Sequence, residues 1–330
     1  SMAQSSPSRC NSLHPRTMPP DGTTPTTHRI APRELPYMAM LIPDARRSLL
    51  GGIVDDATLL GTAAPDIDQA VDGYRTLRAG PTGWMVGRLV VPVSRLEDLA
   101  GVLVRTMRGG DAAMPIVAAA DGHVASDASI ASAFQATMDP AARIDVIRLA
   151  AGAAVEDANA TRGIHHDVLP LVTLSPNAAA APLLAAIAAA RDVALHSIGL
   201  AFDAPLDAPG LSGLAASIRA CTQTSTPFIV HAPRFSASTR SDPTTGRMSL
   251  GVMNLLAAVL QFEATVAGTL STLSDTEPAT HTIGFGGLSI RGDAVRSPRA
   301  IGSDRSPLLS LSALEPATTI EAIGALNLSA

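Results

Sequence analysis

The chain has 330 residues, of which 46% are hydrophobic, 16% charged and 3% aromatic, and its formal net charge is −5. This balance gives no electrostatic footprint for nucleic acid or an anionic membrane, and the few aromatic residues give no base-stacking platform. All 24 basic residues are arginine, which excludes Schiff-base and pyridoxal-phosphate enzymes, Walker A loops and protein kinases, since each requires a lysine. The two cysteines, Cys10 and Cys221, exclude a disulfide scaffold and a cysteine-based metal cluster.

The two ends of the chain differ in composition from its middle. Residues 1–33 are rich in Ser, Thr and Pro, which predicts a disordered tail rather than a secretory signal. Residues 34–315 are expected to form a single domain, and residues 316–330 a C-terminal extension. Residues 293–330 have the composition of a loop, with a short closing helix at 318–326. The longest apolar stretches are too short or too polar for a bilayer span, so we expect a cytoplasmic protein.

From residue 50 onward, short β-branched runs alternate with Ala- and Leu-rich helical patterns. A capping box of Ser94 and Glu97 is expected at the start of the second helix. Apolar strands separated by helices of this length indicate βαβ units and a parallel sheet that is buried on both faces. Strands are predicted at 53–60, 87–93, 115–121, 144–150, 169–175, 196–203, 226–232 and 281–287, and helices at 66–78, 95–108, 127–138, 178–191, 211–221 and 249–270.

These units predict an α/β protein with a (β/α)8 TIM-barrel-like fold, complete or irregular. Seven or eight βα units in a chain of this length match that barrel. A doubly wound parallel sheet is the alternative, and we favour the barrel because no G-x-G-x-x-G motif follows an early strand. In a barrel of this kind the C-terminal ends of the strands form the mouth where chemistry takes place.

Four side chains near predicted strand ends are candidates for catalysis. His231, near the end of its strand, is expected to act as a general acid or base, and Asp203 one strand earlier to orient or charge it. Asp121 is expected to face the same mouth. Asp55 and Asp56 alternate faces, so only one points inward, and we take Asp56 as the fourth candidate. The structural alternatives are a core histidine, a turn or helix-capping aspartate, and a solvated loop.

A second group of residues is expected to bind substrate. The glycines near residue 286 could present backbone N–H groups to an anion, with an arginine as a second contact, although glycine is equally used for close packing. His165, His166 and Asp167 lack a third ligand at diagnostic spacing, so neither a metal nor another cofactor is predicted. The substrate-binding candidates are Arg148, Ser175, Asn177, Phe235, Gly286, Gly287 and Arg291.

Several short stretches between Leu49 and Leu314 resemble a mainly actinobacterial family of barrel-like proteins with no established activity. The Asp-Pro-x-Thr-Gly loop followed by a Gly-x-x-Asn helix is the more specific part of this resemblance. The stretches are Val54-Asp55-Asp56-Ala57, Thr226-Pro227-Phe228, Arg240-Ser241-Asp242-Pro243-Thr244-Thr245-Gly246, Leu250-Gly251-Val252-Met253-Asn254-Leu255-Leu256 and Phe285-Gly286-Gly287-Leu288-Ser289.

The chain departs from that family where the family carries charged groups. Ile229 stands at the position of a lysine, Phe235 and Ser236 at the positions of two histidines, and His231 where a small residue is usual. The resemblance therefore implies a divergent member whose cavity is more apolar than that of its relatives.

Three functions are compatible with these patterns. The first is a cyclase, isomerase or lyase of bacterial secondary metabolism, with an apolar barrel pocket and His231 as acid or base. The second is a lyase or aldolase-like enzyme that acts on a small anionic substrate without a Schiff base. The third is a non-catalytic binding or scaffolding relative of an enzyme. The expected partner is a small molecule, with no nucleic acid and no membrane, and a homodimer is left open.

Overall fold

Eight parallel strands close into a barrel in the computed structural model, as the sequence predicts. Around the barrel, strand neighbours follow the order β1, β13, β7, β6, β5, β4, β3, β2. The thirteen strands are β1 (Val54–Asp56), β2 (Val86–Pro92), β3 (Met114–Ala119), β4 (Ala142–Leu149), β5 (Leu169–Leu174), β6 (Gly199–Asp203), β7 (Phe228–Ala232), β8 (Arg240–Ser241), β9 (Met248–Ser249), β10 (His281–Gly284), β11 (Gly287–Ile290), β12 (Asp293–Arg296) and β13 (Leu308–Ala313). The structure describes residues 45–150, 152–153, 157–158, 161, 167–174, 198–204, 207–245, 247–261, 265–277, 281–284, 287–290, 293–296 and 307–325.

In the described part of the chain, helices connect β1 to β2, β2 to β3, β3 to β4 and β6 to β7, and the predicted helix 178–191 lies outside that part. Asp66 and Asp207 cap the second and fifth described helices, and their carboxylates accept hydrogen bonds from the backbone of Gln69 and Gly210. The predicted capping box at Ser94 is wrong, because the helix begins after Arg95 and Ser94 instead bonds Asp121. The described helices are α1 (Ala45–Leu50), α2 (Ile67–Ala79), α3 (Leu96–Thr106), α4 (Val124–Met138), α5 (Ala208–Thr224), α6 (Val252–Leu260), α7 (Val266–Ser274) and α8 (Pro316–Gly324). None of the helices in the described part of the chain combines the length and hydrophobicity that a bilayer crossing requires.

The eighth barrel strand differs from the prediction. Residues 281–284 form β10, which pairs antiparallel with β11 in a separate sheet with β12, and the chain reverses between Gly284 and Gly287. The strand that closes the barrel is β13, which pairs with β1 on one side and β7 on the other. Its Ser310 and Ser312 interrupt the apolar run, which is why the sequence pattern resembles a loop at this strand.

The interior of the barrel is a packed apolar layer rather than an open pore. It consists of small and β-branched side chains from the inward faces of the strands, each at most 3% exposed. Because side chains alternate between the two faces of a strand, this layer identifies which positions of each strand point inward. The layer contains Ala57, Val90, Val117, Ala119, Val146, Leu171, Ala201 and Ile229.

Below this layer, a buried ion pair occupies the N-terminal end of the barrel. The carboxylate of Asp55, at 0% exposure, accepts bonds from Arg88 Nη2 at 2.8 Å, Arg88 Nε at 3.2 Å and the Arg88 backbone N–H at 2.8 Å. Ser310 Oγ accepts a bond from Arg88 Nη2 at 2.7 Å and donates to Asp55 Oδ2. Asp55 is therefore the inward aspartate of β1, and it holds three strands together at the end of the barrel away from the mouth.

The segment that follows β7 is fixed by Asn254, at the start of the fully buried helix α6. Its Oδ1 accepts from the backbone of Thr239 at 2.9 Å, and its Nδ2 donates to the carbonyls of Thr272 at 2.7 Å and Asp275 at 2.8 Å. A Cβ at Gly251 would lie 2.3 Å from Thr239 N, so only glycine fits there. The Gly-x-x-Asn pattern is thus explained by the packing of this segment.

Candidate functional site

The C-terminal ends of five neighbouring strands bring polar side chains to the mouth of the barrel. Arg148 of β4, Thr173 of β5, Asp203 of β6 and His231 of β7 each lie two positions after a residue of the apolar layer, so they share its inward face. Ser312 of β13 completes the group through a bond to His231. Arg148, Asp203 and His231 were selected because they lie near strand ends. They lie at one mouth of the barrel, and Arg148 points inward.

His231 is the central residue of this group. It pairs in register with Asp203 on one side and Ser312 on the other, and its Nδ1 lies 3.1 Å from Ser312 Oγ. Burial lowers the pKa of His231 to about 4, and the positive charge of Arg148 acts in the same direction, while hydrogen bonding to Ser312 opposes both. The imidazole is neutral at pH 7, and its Nδ1 lies within hydrogen-bond distance of Ser312 Oγ.

Arg148 is a half-buried cation whose Nη1 is fully buried. Burial lowers the pKa of Arg148, and the negative charge of Asp203 acts against this shift; an arginine nevertheless stays protonated in proteins. Its Nη1 is buried and has no hydrogen-bond partner among the described residues. Such a donor carries a desolvation cost of about 1–3 kcal/mol or more, which an anionic oxygen placed against it would offset.

Asp203 and Thr173 complete the polar half of the mouth. Asp203 ends β6 and is exposed, so its carboxylate is open to solvent beside Arg148 and His231. Thr173 is buried and its hydroxyl donates to the carbonyl of Leu149 at 2.5 Å, which ties β5 to β4. The opposite side of the mouth, formed by β1, β2 and β3, ends in the small apolar residues Ala57 and Ala119.

Asp56 does not share this site, contrary to the expectation from the sequence, and Asp121 lies on the opposite side of the ring from His231. Asp121 follows β3, four strands around the ring from β7, and its carboxylate accepts from the backbone and hydroxyl of Ser94. Asp56 points outward because Asp55 occupies the inward face. It accepts from Thr58 N at 3.0 Å and Thr58 Oγ1 at 2.6 Å, and burial raises the pKa of Asp56 against these bonds.

The remaining substrate-binding candidates lie away from His231 or outside the described residues. Phe235 is 1% exposed and forms part of the wall of a cavity beside the mouth. Gly287 begins β11 and pairs with Gly284 in the separate antiparallel sheet. Ser175, Asn177, Gly286 and Arg291 lie outside the described residues, as do His165 and His166.

A cavity of about 720 Å³ opens directly beside the mouth. Ala204 and Ala232, which line it, immediately follow Asp203 and His231 in the chain. Its other walls are the segment after β7, the hairpin of β8 and β9, and one face of α8. The side chains of Arg148, Asp203 and His231 do not line this cavity, which therefore lies next to the polar half of the mouth without including it. Its volume is that of a small-molecule site.

Sequence reasoning missed two parts of this region. Ser312 was missed because its strand was not predicted. The cavity arginines, Arg234, Arg240 and Arg247, were missed because they lie in a long connection whose folding has no periodic signal. No group of three or more His, Cys, Asp or Glu suited to a metal ion is found within the part of the chain that the structure describes.

No family model, curated protein or solved structure matches this chain. The chemistry of the site is therefore inferred from the geometry of Arg148, Asp203, His231 and Ser312.

Proposed function

We propose that the chain is an enzyme of the isomerase or lyase type that moves a proton on a small substrate with an anionic oxygen group. The observation that carries this proposal is the buried, unpartnered Nη1 of Arg148 beside His231 at the barrel mouth. The apolar layer below is fully packed. This packing supports an anionic substrate over one held in an apolar barrel pocket.

Arg148 would bind the anionic group of the substrate. A guanidinium presents several donors in a fixed plane and pairs well with carboxylate and enolate oxygens. Because Nη1 of Arg148 is buried, its charge is poorly screened and would stabilise negative charge that develops on the substrate during proton removal. Asp203, exposed at the same rim, would accept a hydrogen bond from a substrate hydroxyl.

His231 would transfer the proton through Nε2, with Ser312 holding the ring by Nδ1. Burial, and then the positive charge of Arg148, lower the pKa of His231 to about 4, so the ring is a weak base. A substrate anion on Arg148 would offset that positive charge and raise the pKa of His231. The base would thus become stronger only when substrate is bound.

The test is deuterium exchange. Purified protein in D2O is incubated with pyruvate, 2-oxoglutarate, malate and the phosphorylated acid 3-phosphoglycerate, and incorporation of deuterium next to the carboxylate or carbonyl group is followed by NMR. We expect exchange of at least one of these acids. We expect His231→Asn to slow that exchange by about 100-fold or more, since a positioned acid or base contributes about 10²–10⁴-fold.

Matched variants control for unspecific effects. His123→Asn changes an exposed histidine at the start of α4, and Arg105→Gln changes an arginine whose side chain is 60% exposed. Both should exchange at the wild-type rate, whereas Arg148→Gln should be impaired. Absence of exchange with all four acids, or equal rates in wild type and His231→Asn, would overturn the proposal.

A further inference from the structure

The cavity beside the mouth has an arginine-rich rim. Arg234, Arg240 and Arg247 line it and are exposed, and Asp242 is the acidic residue among the lining residues. The ion pairs between described residues engage other arginines: Arg88, Arg105 and Arg143. Within the described ranges, none of the three rim arginines has a carboxylate partner, so their charge is available to a ligand.

Asp242 offsets only one of the three positive charges of this rim, and its carboxylate is held by its own turn. Its Oδ1 accepts from the backbone N–H of Thr244 at 2.8 Å and of Thr245 at 3.3 Å. These hydrogen bonds, that from Thr244 first, lower the pKa of Asp242. With three arginines and one aspartate, the lining of the cavity carries a net positive charge.

Backbone pairing fixes the positions of two of the rim arginines. Arg240 lies in β8 opposite Ser249 of β9, and the carbonyl of Arg247 accepts from the backbone of Asp242 at 2.9 Å. The two arginines are thus held near one another on a short hairpin. The hydroxyl of Ser236 donates to the carbonyl of Ser238 at 2.6 Å and fixes the segment that leads to it.

The opposite wall of the cavity is apolar. Phe235 and Leu250 are buried and Met248 is half-buried, and all three line the same space as the arginines. A ligand that satisfies both walls therefore carries a multiply charged anionic group on an apolar organic part. A phosphate ester has this chemistry, since it presents about two negative charges and several acceptor oxygens to guanidinium groups.

We infer that this cavity binds the phosphate or diphosphate group of an organic phosphate ester through Arg240 and Arg247, with Arg234 adding charge. Ala204 and Ala232 adjoin both this cavity and the mouth. Where the proposed function holds, the substrate is therefore a phosphorylated compound whose reacting end extends to His231. This assignment of the substrate rests on the proposed function, whereas the phosphate site itself does not.

Calorimetric titration of the full chain with pyrophosphate, inorganic phosphate and phenyl phosphate tests the site. We expect Arg240→Gln/Arg247→Gln to weaken pyrophosphate binding by about tenfold or more, because both substitutions remove charge-assisted hydrogen bonds to the anion. Arg105→Gln should bind as the wild type does. Phenyl phosphate should bind several-fold more tightly than inorganic phosphate because of the apolar wall. All three affinities should fall when salt is raised to about 150 mM.

The outcomes separate this inference from the proposed function. Absence of pyrophosphate binding at millimolar concentration, or equal binding by wild type and the double variant, overturns the phosphate site. Equal affinities for phenyl phosphate and inorganic phosphate overturn the organic ester as its ligand. Pyrophosphate binding that is lost in Arg148→Gln but retained in the double variant overturns the cavity site and leaves the proposed function standing. Binding lost in the double variant, without deuterium exchange in any assay, supports the site and overturns the proposed function.

Discussion

Replacement of Asp55 by alanine should destabilise the protein strongly. The change removes every acceptor that the Asp55 carboxylate offers to Arg88, whose side chain is only 14% exposed. Among the described residues, Ser310 Oγ then remains as the partner of the guanidinium. Breaking one partner of a buried ion pair costs about 3–5 kcal/mol, because the other charge stays buried and uncompensated. We expect a loss of this size in the free energy of unfolding, measured by urea denaturation at pH 7.

Two control variants test whether the loss comes from the buried ion pair. The N–O distance in the pair between Arg105 and Asp68 is 2.9 Å, against 2.8 Å in the pair between Arg88 and Asp55, but the side chains are 60% and 58% exposed. Asp68→Ala should therefore cost no more than about 1 kcal/mol. The double variant Asp55→Leu/Arg88→Leu should recover much of the lost stability, since apolar replacement of a whole buried pair is often neutral. Equal losses for Asp55→Ala and Asp68→Ala would refute the reasoning.

Three further predictions concern the mouth and the segment behind it. Because the folded-state pKa of His231 is about 4, below its ordinary 6.5, the neutral ring contributes stability above pH 6.5 that is lost as the pH falls towards 4. His231→Asn should therefore lose less stability than wild type between pH 7 and about pH 4.5 in urea denaturation, and equal losses would contradict this. An NMR titration of Arg148→Gln should give a higher pKa for His231 than in wild type, because a repelling charge is gone; an unchanged pKa would show that the two groups do not interact. Asn254→Ala removes two buried hydrogen bonds and one partly buried hydrogen bond and should lower the free energy of unfolding by about 3 kcal/mol. A loss below about 1 kcal/mol would count against its anchoring role.

The repeating part of the fold was predictable because the strands from β2 to β7 are apolar runs. The part of the fold after β7 was not predictable, and individual residues show why. The predicted helix 249–270 is two helices, since α6 ends at Leu260 and Thr265 caps the start of α7 by accepting from Gly268 N. The closing strand was missed because its inward positions carry Ser310 and Ser312, whose hydroxyls bond partners far away in sequence.

The site was partly predictable for a related reason. Strand ends locate the rim of a barrel, and this rule found Arg148, Asp203 and His231. The rule does not tell which face of its strand a side chain occupies, nor on which side of the barrel that strand lies. The rule could not separate two other aspartates from the residues around His231. Asp56 points outward, and Asp121 bonds Ser94 across the ring from β7. Their positions depend on hydrogen bonds that composition does not reveal.

The strand β13 joins the two ends of the barrel interior. Its Ser310 bonds Asp55, 255 positions earlier in the chain, and its Ser312 bonds His231. Contacts of such sequence separation form slowly, because a long loop must first be closed. During synthesis neither the lower ion-pair network nor the orientation of the imidazole can be completed before this strand has emerged and inserted between its neighbours. The hydrogen bond that orients His231 therefore forms only when the barrel closes.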